Sequence, residues 1–258
     1  MKSDIMKELR MGIRTSKFLV ITASFLFFAI LTPIMMKFIL PQLLLNQFQG
    51  MEEATISQML DMSQKGSLLG YMSDLFEIGT IVVVFALSGL LAQEIKENTL
   101  VLPICSGKKL FSIVTSKLVV FSIFLILAST LGMVICYLYA GVLFTFDIGL
   151  WSVVVIGLLY GGYMIILLNL VMLFGTIIKS SIGTGFMTLG FSLFLYFIGS
   201  YLDVHVYLPS GLLISAQNIL ANQSYQNLGV TLAISMILVL MISKITHMRL
   251  EHREWNER

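Results

Sequence analysis

Charge is what this sequence has least of. Only 12% of its 258 residues are Asp, Glu, Lys or Arg and 57% are hydrophobic, where a soluble domain carries roughly 25% charged residues. A chain this long has too few charges to coat a water-exposed surface, and a mean hydropathy of +0.93 puts it in a bilayer. Two cysteines, Cys105 and Cys136, give neither a disulfide framework nor metal-ligand spacing. The three histidines, His205, His247 and His252, all fall outside the long apolar runs, so no imidazole is expected at membrane depth. Gly-x-Ser-x-Gly, His-Glu-x-x-His and the Gly-x-x-x-x-Gly-Lys-[Ser/Thr] phosphate loop are absent, so the chain is not read as an enzyme, and any ATP it uses must bind another chain.

The abundant feature is the apolar run of spanning length. Six occur, at Phe18 to Met36, Leu75 to Ala92, Leu118 to Ala140, Ser152 to Gly175, Ile182 to Leu202 and Leu228 to Ser243. Each is close to the ~20 residues with which a helix crosses about 30 Å of hydrocarbon. Lipid offers the backbone no hydrogen-bond partner, so spans of this kind are helices, and Ile81-Val82-Val83-Val84-Phe85 lacks the alternation of a barrel strand. The fold class is an all-α integral membrane protein forming a single domain over residues 1–258.

The basic residues are distributed unevenly about these spans. Fourteen of the sixteen flank one side, including Lys2 to Lys17 before the first span, Lys96 to Lys117 between the second and third, and Lys244 to Arg258 at the end. Lys37 and Lys65 alone lie on the other side, so both termini are expected in the cytoplasm of a multi-pass cell-membrane protein. The net charge of +2 sums over two faces and implies no nucleic acid. Within residues 1–17, Ile5, Leu9 and Ile13 recur every fourth position among Lys2, Asp4, Lys7, Glu8, Arg10 and Arg14, the pattern of a helix lying in the lipid headgroup layer.

Residues 93–117 are too long for a tight turn, and their charges alternate with Leu100, Leu102, Ile104, Leu110 and Phe111, so an amphipathic element is expected there. Residues 203–226, around Pro209, are too apolar for a solvated loop and too short to cross and return, so short re-entrant helices dipping into the outer leaflet fit between the fifth and sixth spans. Among polar residues in the spans, Glu77 is placed near the outer start of the second and Asn169 in the middle of the fourth; both are candidate pathway residues. Asn169 is also suited to binding a neighbouring helix, and Gly157, Gly161, Gly162, Gly183, Gly185 and Gly190 to close helix approach.

The run Glu94, Lys96, Glu97, Thr99 and Leu100, followed by Gly107, Lys108, Lys109 and then Lys117 entering the third span, resembles the permeases of the type-2 ABC exporter family. Asn98 stands where that family carries glycine, and Val101 where it carries an acid; asparagine is among the few residues that tolerate a left-handed backbone. The resemblance extends to length, six spans, cytoplasmic termini, the leader helix and the outer half-helices. It implies that residues Glu94 to Lys109 couple the chain to a separate ABC ATPase, which carries the ATP while this chain binds no cofactor and no metal. It also implies a second permease subunit, identical or related, with membrane lipid around both. As half-exposed carboxylates, Glu94 and Glu97 are expected to matter to the partner and not to folding. An ATP-independent channel or an immunity-type membrane binder is the other reading these features allow.

Overall fold

A computed structural model describes residues 2–47, 61–107, 110–221 and 228–252, and every regular element among them is helical. α1 (Lys2–Arg14) precedes a sharp turn at Ser16, whose φ of 56° is left-handed, and α2 (Lys17–Ile34) passes through a π-helical turn (Met35–Ile39) into α3 (Leu40–Gln47). α4 (Gln64–Asp74), a second π turn (Leu75–Gly79), α5 (Thr80–Leu87) and α6 (Gly89–Lys96) follow one another as one long rod. α7 (Val101–Cys105) is a single short turn of helix before α8 (Leu110–Leu143) and α9 (Leu150–Ile178). The chain ends with α10 (Ser181–Leu202), a 3-10 turn (His205–Tyr207), α11 (Ser210–Leu220) and α12 (Leu228–Glu251).

Among the described residues, six helical segments are long and apolar enough to cross a membrane: Lys17–Leu43, Gln64–Lys96, Leu110–Leu143, Leu150–Ile178, Ser181–Leu202 and Leu228–Glu251. All six sequence-read spans are found, each longer than its apolar run. The second begins eleven residues before Leu75, because the helix tolerates the polar Gln64, Lys65, Ser67, Ser73 and Asp74 that break the run. Gln64 is buried there. Its amide donates to the Tyr137 carbonyl (3.0 Å) and accepts from the Asp147 and Ile148 backbone N–H groups (3.0 and 3.3 Å), tying the start of α4 to the α8–α9 connection. Lys37, just past the end of the first apolar run, lies in the first π turn and donates to the Leu143 carbonyl.

α9 is the central helix, packed by α8, α10, α11, α12 and the α4–α6 rod. Its closest partner is α8, at two glycines: a Cβ on Gly157 would come within 2.7 Å of Thr130 Cα, and one on Gly161 within 2.9 Å of Ile126 Cα. The Ser129 hydroxyl uses that proximity to donate across the interface to the Gly157 carbonyl at 3.0 Å. Two core tyrosines are satisfied by backbone, Tyr71 through the Phe25 carbonyl and Tyr160 through the Met72 carbonyl, as buried phenols require. By contrast, α12 exposes Val230, Leu232, Met236, Ile237, Leu240 and Met241.

In the region expected to hold short re-entrant helices, the structure has the 3-10 turn and α11, with residues 222–227 outside the described part. His205 Nδ1 lies 2.9 Å from Ser210 Oγ, joining the turn to the helix, and α11 packs mainly on α9.

Candidate functional site

The segment that resembles a coupling element begins where the α4–α6 rod stops. Thr99 N–H bonds the Glu94 carbonyl (3.0 Å) and Asn98 N–H the Ile95 carbonyl (3.3 Å), the paired bonds of a Schellman cap. That cap needs a left-handed residue at its turn. Asn98 supplies it with φ 53°. Leu100 then buries its side chain, α7 follows, and Gly107 turns the chain with φ +83°. Lys108 and Lys109 lie outside the described residues.

The remaining candidate residues divide into an exposed rim and a buried centre. Lys96, Glu97, Thr99 and Gly107 are exposed, with Glu97 accepting a bond from Gln93 Nε2 at 2.8 Å. Glu94 faces inward instead. Its Oε1 lies 2.7 Å from Lys117 Nζ, and the same ammonium lies 2.9 Å from Glu8 Oε2 in α1. The Lys117 and Glu8 side chains are 1% and 2% exposed and that of Glu94 13%. Three chain segments therefore meet at one cation: α1, the end of α6 and the start of α8. One turn along α1, the Ser112 hydroxyl donates to Asp4 Oδ2 at 3.0 Å, so α1 is fastened to α8 at two levels.

Such a centre is costly to open. Desolvating an ammonium costs several kcal/mol, which the two carboxylates offset only while both stay in place. Glu94 Oε2 is itself buried without a hydrogen-bond partner among the described residues, and the other oxygen of this carboxylate is held by Lys117. The expectation that Glu94 is dispensable for folding changes accordingly, whereas Glu97 keeps the half-solvated position read from the sequence.

The two candidate pathway residues lie apart from this centre. Glu77 sits in the π turn, thirteen residues after the start of the span at Gln64 and not at its outer start. Its side chain is exposed beside exposed Ile78 and Ile81. Asp74, one turn earlier, is half-buried and accepts a 2.5 Å bond from the Thr32 hydroxyl of α2. Asn169 is buried in α9, where its amide donates to the Ile165 carbonyl of its own helix (2.8 Å); its Oδ1 has no hydrogen-bond partner among the described residues.

Sequence reasoning missed Asp4 and Glu8. The apolar stripe and scattered charges point to a helix lying on lipid and leave its other face unread: Asp4, Glu8 and Gly12 share the four-residue spacing of one helical face, and that face is buried. The spacing was the available signal.

Comparison with known families, curated proteins and solved structures finds no significant match to this chain.

Proposed function

We propose that this chain is the membrane-spanning permease subunit of an ATP-binding cassette exporter, driven by a separate ATPase and paired with a second permease subunit. The observation that carries the reading is the meeting of α1, α6 and α8 at Lys117, directly behind an exposed polar rim. A push on Lys96, Glu97, Thr99 or Gly107 is delivered to rigid elements, because α6 continues the second span and α8 is the third. Closure of an ATPase dimer against this rim would tilt both spans and α1 as a unit, a rigid-body means of changing which side a pathway faces. The basic residues gather on this side of the bundle, which fits a cytoplasmic location, with α1 at the headgroup layer and α11 in the opposite leaflet.

A second subunit is supported by Glu77. An exposed carboxylate thirteen residues into a 33-residue span is expensive against lipid, so its face is better explained by a neighbouring subunit or a water-lined path. A water-lined path would equally suit an ATP-independent channel, and the two readings differ in what they bind. Purified from its native membrane through an affinity tag, the chain should bring down a nucleotide-binding ATPase in a fixed ratio. Glu97→Gln should lower that ratio while leaving the amount of inserted chain unchanged. Recovery of the chain with no ATPase, in mild detergent and at low salt, would favour the channel reading.

A further inference from the structure

α1 sorts its charges by sign. Asp4 and Glu8, its two acids, are both buried against α8, and Gly12 extends the same stripe against the Phe18 ring. On the outward surface Lys7, Arg10 and Arg14 are exposed, and none forms an ion pair with a described residue. Met6, Leu9 and Ile13 are exposed as well, at 53%, 42% and 62%. Positions 7, 10 and 14 and positions 6, 9 and 13 are parallel stripes offset by one residue, about 100° around the helix. Ser3, Met6, Lys7, Arg10, Met11 and Arg14 line an open groove along it. A helix facing water would show the reverse, with acids outward beside the bases and the apolar stripe against the bundle.

We propose that the outward face of α1 binds anionic lipid headgroups of the leaflet it borders. The cations meet the lipid phosphates and the apolar stripe enters the acyl boundary, the division of labour of an interfacial helix on an anionic membrane. The site lies at the right level, because Arg14 precedes the first residue of the first span, Lys17, by only the Thr15-Ser16 turn. A protein surface would match the cations but leave Met6, Leu9 and Ile13 in water until assembly; lipid satisfies both stripes throughout. Since Glu8 pairs with Lys117 from the opposite face of the same helix, lipid binding would hold α1 where the buried ion pair forms. The inference rests on the chain's being embedded in a membrane and is independent of the ATPase reading.

The test uses the full chain in lipid nanodiscs, with Ile13→Trp as the sole tryptophan on a Trp151→Phe/Trp255→Phe background. Brominated phosphatidylglycerol should quench this tryptophan more strongly than brominated phosphatidylcholine at the same mole fraction. Each basic residue near an anionic surface changes partitioning by about fivefold, so Lys7→Gln/Arg10→Gln/Arg14→Gln should abolish the preference. Arg10→Glu, which leaves the other basic residues in place, should reduce it. Equal quenching by the two lipids in the parent, quenching by neither, or a preference unchanged in both variants would overturn the proposal.

Discussion

At the scale of single residues the weight falls on Lys117. Lys117→Met leaves Glu8 and Glu94 without their ion-pair partner, and removal of one member of a buried ion pair costs about 3–5 kcal/mol. The detergent-solubilised variant should therefore melt well below wild type. Neutralising all three positions, Glu8→Gln/Lys117→Met/Glu94→Gln, should recover most of that loss, because neither carboxylate is then left charged without Lys117; a triple variant as unstable as Lys117→Met would contradict the assignment. Lys117 was legible as a lysine entering the third span, but its partners were legible only in part. Glu8 lies 109 positions away, and no local pattern connects residues so distant. Asn98 is the opposite case, since its left-handed turn follows from the residue type alone.

Among the helical elements, α8 and α9 form the frame on which the rest is hung, and their contact rests on residues too small to keep the backbones apart. Gly157→Ala places a methyl group 2.7 Å from Thr130 Cα, a clash with backbone that only helix separation relieves. Overpacking of this kind costs about 1–3 kcal/mol, so the variant should lose thermal stability. Gly190→Ala should not, because no described residue from another part of the chain lies within 4 Å of its Cβ position. Equal losses at the two sites would contradict this account, because helix propensity alone favours alanine over glycine at both. The sequence patterns marked Gly157, Gly161 and Gly190 alike as small residues in spans and had no means of telling which met a neighbour. Span existence was legible throughout because apolar length is a local property. Span ends were not, because polar residues such as Gln64 continue a helix when other segments satisfy them.

For the whole molecule, the basic asymmetry and the coupling reading make the same demand: the end of the bundle bearing Lys117 must face the cytoplasm. Native Cys105 is exposed at that end, beside Gly107, and Asp61 is exposed just before Gln64 at the other end of the rod. In intact cells an impermeant maleimide should modify Asp61→Cys and spare Cys105, which should react after lysis. The reverse pattern would turn the molecule over and remove the rim from the ATP side. Six spans were accessible to composition, and charge counting gives the orientation that the labelling tests, whereas the joining of α1 to the segment after α6 depended on tertiary packing. Whether that segment receives force from an ATPase is tested most directly by a photo-crosslinking residue at Glu97, with one at Phe146 near the opposite end as control. The account predicts an adduct between this chain and a nucleotide-binding ATPase from position 97 and none from position 146. An absence of ATPase adducts from position 97, with the chain inserted in normal amount, would contradict it.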